Sequence, residues 1–140
     1  VMIYREKNTI PIQEELSLIE DYAFLTKKRF GDNIIIRNLI HDNEGFVVPF
    51  AIQMLIENAV KHNIATKEHP LNIDLLIIDN FIYIKNNFQP KKIKEPSTGF
   101  GLSFIKKHYE FLSKMPVDIS SDSNLFIVKL PLLKNESINS

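Results

Sequence analysis

The sequence contains no cysteine and no tryptophan, and only four glycines and four alanines among its 140 residues. Without cysteine, neither a disulfide nor a thiolate metal site can form. Charge of one sign is not in excess. The 17 basic and 17 acidic side chains argue against broad contact with a nucleic-acid backbone, which needs a basic surplus. No apolar stretch approaches the roughly 18 residues of a membrane span, and no signal-peptide pattern is read at the start. What is present is ordinary for a globular chain: 44% hydrophobic and 24% charged, which excludes wholesale disorder. A chain of roughly this length buries about 68–70% of its unfolded surface, so one core is expected to form without staples. Isoleucine (21) and asparagine (13) are abundant. AT-rich codon usage accounts for both, so abundance alone carries no functional meaning.

Residues 11–31 predict the first helix. Ile12, Leu16, Ile19, Ala23, Thr26 and Phe30 recur at steps of four and three, one face of a helix. Pro11 starts it, Glu14 and Glu15 complement the dipole in its first turn, and Lys27, Lys28 and Arg29 in its last, with Gly31 as C-cap. Leu18, Tyr22 and Leu25 form a second apolar stripe, either a docking face or more core. Residues 33–41 read as a strand before a turn at Asp42-Asn43-Glu44-Gly45. A second, largely apolar helix covers about 50–63. Leu71–Ile78 and Phe81–Lys85 are strands joined by a tight turn at Asp79-Asn80. Residues 88–99 lose periodicity and carry Lys91, Lys92 and Lys94, so they read as a mobile loop. A third helix (about 101–113) and strands at about 117–121 and 125–132 complete the pattern, with 134–140 as a frayed, disordered tail. Hairpin-linked strands interleaved with helices imply a two-layer α/β sandwich, with a mixed, mainly antiparallel sheet and helices on one face.

Two local patterns carry chemistry. On the second helix, Gln53, Glu57, Asn58, Lys61 and His62 gather on one side of an otherwise buried segment. A polar seam in such a place must be solvated, paired or bound to a ligand, because an unsatisfied buried amide costs about 1–3 kcal/mol. The i,i+4 pair Glu57–Lys61 also fits an ordinary surface stripe. Read as a site, the seam offers hard oxygen ligands for a cation such as Mg²⁺, and a lysine for phosphate. The second pattern is Ser97-Thr98-Gly99-Phe100-Gly101-Leu102 at the start of the third helix. Two of the four glycines let backbone N–H groups approach an anion at a helix N-terminus, although a plain capping turn needs the same residues.

Together the two patterns resemble the histidine-kinase ATP-binding domain. Leu55-Ile-Glu-Asn-Ala-Val-Lys-His-Asn63 is similar to its N-box, and Thr98-Gly-Phe-Gly-Leu-Ser-Phe-Ile105 to its later G-box. Ile12–Gly31 resembles the segment that precedes this domain in LytS-type sensor histidine kinases, and Val128-Lys-Leu-Pro-Leu132 the family's last strand. The resemblance implies a Bergerat (GHKL) fold over residues 1–133, with 88–99 as the ATP lid. It implies that Asn58 binds Mg²⁺, that Glu57 polarises that site, and that Lys61 faces the phosphates of ATP. His62 and Asn63 would flank the nucleotide, and Thr98, Gly99, Phe100, Gly101 and Leu102 would cradle it. Asn86 would read adenine, and Asn124 would stand near the nucleotide at the start of the last strand. The γ-phosphate would pass to a histidine on a dimerisation helix, then to a response regulator of the LytR type. None of His41, His62, His69 and His108 lies in that histidine's motif, so the acceptor is expected upstream of Val1. The intact protein is expected to be a homodimer, a bacterial inner-membrane sensor anchored by N-terminal segments, with this domain in the cytoplasm.

Departures from the pattern leave other readings open. The usual Asp-x-Gly for adenine is replaced by Asn86-Asn87-Phe88, which loses a charge and a glycine. Ser123-Asn124 replaces the usual Gly-Thr. These changes admit a degenerate, nucleotide-weak module that relays conformation without catalysis. A hydrolysing GHKL ATPase is disfavoured, since Met54 stands where those relatives carry their water-activating glutamate.

Overall fold

The computed structural model describes residues 9–41, 44–92, 100–113 and 115–134, with Phe100 described by its backbone alone. Seven strands and three α-helices follow one another in these segments. They are β1 (Ile10–Pro11), α1 (Ile12–Phe30), β2 (Ile34–Asn38), β3 (Phe46–Val47), α2 (Ala51–His62), β4 (Leu71–Ile78), β5 (Phe81–Asn87), α3 (Phe100–Leu112), β6 (Asp118–Ser121) and β7 (Leu125–Pro131). The main sheet has the order β2-β4-β5-β7-β6. Only β2 and β4 are parallel, and the other neighbours are antiparallel. The expected mixed, mainly antiparallel sheet with helices on one face is what the chain forms. The short strands β1 and β3, which pair with each other, have no period-two signature and are not announced by the sequence. The strand expected over 33–41 is shorter and starts at Ile34, because a 3₁₀ turn takes Gly31–Asn33.

Period-two alternation sorts the sheet's two faces. Leu71, Ile73 and Leu75 of β4, Ile82 and Ile84 of β5, and Val128 and Leu130 of β7 are buried. They form one core with Ile52 and Ile56 of α2, Ile105 and Tyr109 of α3, and Ile12, Leu16 and Ile19 of α1. Each fully buried aliphatic side chain contributes about 1.5–3 kcal/mol. The opposite face carries the bidentate pair Arg37–Asp74, both contacts at 2.7 Å, and Lys129 Nζ lies 4.1 Å from the Phe81 ring centre. The β4–β5 turn places Asp79 at φ 50° and Asn80 at φ 66°. Both values belong to the primed hairpin turn, which follows the twist of the strands and favours Asp and Asn.

Helix α1 ends as expected, at Gly31 (φ 61°), whose N–H donates to the Lys27 carbonyl. Its buried face matches the periodicity with one correction. Glu15, read from the sequence only as complementing its own helix dipole, is fully buried. Of the second apolar stripe, Leu18 and Leu25 are exposed, while Tyr22 packs partly against the core. The stripe is therefore not core along its length.

Candidate functional site

Between α2, α3 and the adjoining ends of β5 and β7 lies a cavity of about 350 Å³, within the usual size range of small-molecule sites. Helix α2 contributes Leu55, Asn58, Ala59, Lys61 and His62, followed by Asn63. Strand β5 contributes Ile84 and Asn86, followed by Phe88. Helix α3 contributes Gly101 and Leu102, and β7 contributes Phe126 and Val128. Apolar walls with a few amides and one lysine suit a ligand that is part flat and apolar, part anionic.

Asn58 and Gly101 meet at this cavity. A Cβ added to Gly101 would lie 3.5 Å from Asn58 Nδ2 and 3.5 Å from Met54 Cε. No hydrogen bond to the half-buried Asn58 side chain exists among the described residues. Its amide oxygen is therefore available as a hard ligand, so the donor chemistry fits Mg²⁺. Met54, one turn earlier on the same helix face, puts its methyl group beside this point.

Asn86 is buried, at 3% exposure, and its Nδ2 donates to the Asn87 carbonyl at 2.8 Å. Its Oδ1 has no hydrogen-bond donor among the described residues, leaving an acceptor in the cavity lining. The next two residues have structural tasks. Asn87 Nδ2 donates to the Pro70 carbonyl at 2.9 Å, and Asn87 Oδ1 accepts from the Asn72 N–H at 2.7 Å. This side chain thereby seals the start of β4. Phe88 pairs with Phe126, ring centres 5.9 Å apart, and its N–H donates to the Asn124 carbonyl at 2.8 Å. The residue that replaces the family's glycine is thus a wall of the cavity.

The expected site residues are not all brought together. Asn58, Lys61, His62, Asn63, Asn86, Gly101 and Leu102 line the cavity. Glu57 is exposed and outside the lining. Its charge is felt by Tyr22 of α1, whose hydroxyl pKa is raised chiefly by burial and, to a lesser degree, by Glu57. Asn124 is also exposed and outside the lining. There the Asp122 carboxylate caps the turn with bonds from the N–H groups of Asn124 (2.7 Å) and Leu125 (2.8 Å), which hold its carboxyl below the usual range. Asn63 has its side chain committed, Nδ2 donating to the Ala59 carbonyl (2.9 Å) and Oδ1 accepting from the Gln89 N–H (2.8 Å). It ties the start of the expected lid to α2, helped by the Lys91 N–H on the His62 carbonyl at 3.1 Å. Thr98, Gly99 and the rest of 93–99, as well as 135–140 of the expected tail, lie outside the described residues, as does the Phe100 side chain.

Sequence reasoning missed the apolar walls Phe88 and Phe126, whose separation in the chain hides their pairing across β5 and β7. It also missed Glu15, although Ile12, Glu15, Leu16 and Ile19 fall on one helical face, and that spacing was the available signal.

No family model matches the chain. Among characterised proteins, the sensor histidine kinase/phosphatase LytS of Staphylococcus aureus (strain Mu50 / ATCC 700699) is 30% identical over 105 residues, 74% of this chain. The LytS of strain N315 matches to the same degree. The match spans only 17% of the length of these relatives. Among solved structures, the cytoplasmic segment of histidine kinase QseC superposes with a TM-score of 0.61 at 17% identity, covering 93% of this chain and 80% of that one. The catalytic domain of histidine kinase ThkA, in a nucleotide-free form, superposes with a TM-score of 0.60 at 14% identity, covering 91% and 99%. The sequence match to the sensor histidine kinase LytS and the shared fold of histidine-kinase catalytic domains together support a GHKL ATPase domain of a sensor kinase.

Proposed function

We propose that this domain binds Mg-ATP in the α2–α3 cavity and serves as the catalytic part of a LytS-like protein-histidine kinase. One observation carries the reading. Asn58 and Gly101, from the two motifs, face each other at a cavity whose lining also holds Asn86, whose Oδ1 accepts no hydrogen bond among the described residues. Asn86 Oδ1 would accept from the adenine amino group, with Ile84, Val128 and the Phe88–Phe126 pair excluding water around the base. Asn58 Oδ1 would hold Mg²⁺, which when bound neutralises phosphate charge. Lys61 would add a point charge at the phosphates, and the N–H groups at the start of α3 would receive phosphate oxygens. Catalysis by such residues is positioning and electrostatic stabilisation rather than covalent chemistry. Glu57 would act on the metal site from outside the cavity lining. Asn63 would act by holding the segment at 89–92.

The acceptor would be a histidine on a dimerisation helix elsewhere in the intact, membrane-anchored homodimer, and the phosphoryl group would pass on to a LytR-type response regulator. Met54 beside Asn58 supports transfer to a positioned histidine over attack by water. The competing reading is a nucleotide-weak relay module. It draws on Asn86-Asn87-Phe88, where the charge and the glycine expected for adenine recognition are missing. Titration with a fluorescent ATP analogue, with and without Mg²⁺, separates the two. Magnesium-dependent binding supports the kinase reading, and no binding at millimolar nucleotide supports the relay.

A further inference from the structure

Helix α2 carries Asn58, Lys61 and His62, so whatever fixes its N-terminus also fixes the site. That end is held in an uncommon way. Phe50, just before the first helical residue, sits at φ 64°, a region a bulky side chain rarely adopts. Its own side chain does not cap the helix. Instead, Glu15 of α1 reaches across. Its Oε1 accepts from the Phe50 N–H at 2.9 Å, and its Oε2 from the N–H groups of Ile52 (3.1 Å) and Gln53 (3.3 Å). Beside it, fully buried Tyr109 of α3 accepts from the Val48 N–H at 3.3 Å. The segment that leads into α2 is thus gripped from both neighbouring helices.

A buried carboxylate loses hydration that an apolar side chain would not, and its return is directional: three hydrogen bonds of defined geometry. We infer that Glu15 is a positioning residue for the nucleotide site, through which α1 sets where α2 lies and hence how Asn58 stands against Gly101. Asn58 is roughly two helical turns from the gripped end, and a packed helix moves as a unit over that length. A displacement of α1 therefore reaches Asn58 through Glu15. This inference rests on the nucleotide reading above.

The test compares Glu15→Gln with Ile82→Val, a buried substitution in β5 outside the cavity lining, at a temperature where both remain folded. The glutamine NH₂ would face an amide N–H and lose at least one of the three bonds. Two quantities are read: the resonances of the Asn58 side-chain amide and the Gly101 backbone amide without nucleotide, and the affinity for Mg-ATP. Glu15→Gln is expected to shift both resonances and weaken Mg-ATP roughly tenfold, the usual scale of coupling between linked sites. Ile82→Val is expected to lower the melting temperature and change neither. A Glu15→Gln variant that only melts earlier, with resonances and affinity unchanged, overturns the inference and leaves Glu15 a structural cap. Glu15→Asp keeps the charge but shortens the reach, and carries the same two readouts should the glutamine variant not fold. If the wild-type chain binds no Mg-ATP at millimolar concentration, the nucleotide reading fails, while the two resonances still decide the claim about Glu15.

Discussion

Asn86 shows how a departure from a motif can be matched by its surroundings. Its Nδ2 donates to the Asn87 carbonyl at 2.8 Å, a bond that an aspartate could not make. Restoring the family's acidic residue would set a carboxylate oxygen against a carbonyl oxygen at a position only 3% exposed. Asn86→Asp should therefore lower stability by about 1–3 kcal/mol, seen as a shifted urea midpoint with an unchanged slope. A midpoint at or above that of the wild type would refute this account of Asn86. By contrast, Arg37→Ala removes an ion pair whose side chains are 57% and 23% exposed. Such pairs contribute about 0–1 kcal/mol, so its midpoint should barely move despite the bidentate geometry.

Among the elements, α3 and the segment after β5 give the clearest expectations. At Gly101 an added Cβ would meet Asn58 and Met54 at ordinary contact distance, and alanine favours a helix over glycine by about 1 kcal/mol. Gly101→Ala should leave stability equal or higher while abolishing nucleotide binding, because the methyl group enters the space where Asn58 meets α3. Retained binding would show that this space is not used. Asn63→Ala should free residues 89–92 from α2, so the amides of Gln89 and Lys91 should exchange hydrogen faster while those of β4 do not. Both element-scale features were partly legible in the sequence. The residues that resemble the N-box and G-box marked a candidate site, periodicity announced α1, and a largely apolar run announced α2. Asn63, however, reads the same whether its amide meets a ligand or, as here, Ala59 and Gln89. Glu57 sits in the motif yet is exposed, because one residue along a helix turns the side chain by about 100°.

Across the whole molecule, the fold class followed from the order of hairpins and helices, whereas the short β1–β3 pair did not, since two-residue strands have no period to detect. The burial of Glu15 has a consequence for overall stability. Burial pushes its carboxyl above the ordinary 4.5, with the three N–H groups pulling it back; Tyr109, itself pushed up chiefly by burial, also senses its charge. A raised carboxyl pKa means that the folded state binds the proton more tightly than the unfolded state. The stability this group contributes is therefore complete below pH 4.5 and is lost as pH rises through the folded value. Subtracting the pH profile of Glu15→Gln unfolding from that of the wild type should isolate a falling contribution in that window. A contribution that rises with pH would mean that the amide bonds outweigh burial.

The cavity between α2 and α3 is proposed to be a magnesium-dependent nucleotide site. It is tested most directly by adding Mg-ATP to the isotopically labelled chain and following its amide resonances. Saturable shifts are expected at Asn58, Lys61, Gly101 and the Asn86 side chain, lost in Asn58→Ala and reduced without Mg²⁺. Resonances that stay in place at millimolar Mg-ATP, or shifts confined to the open face of the sheet, would contradict it.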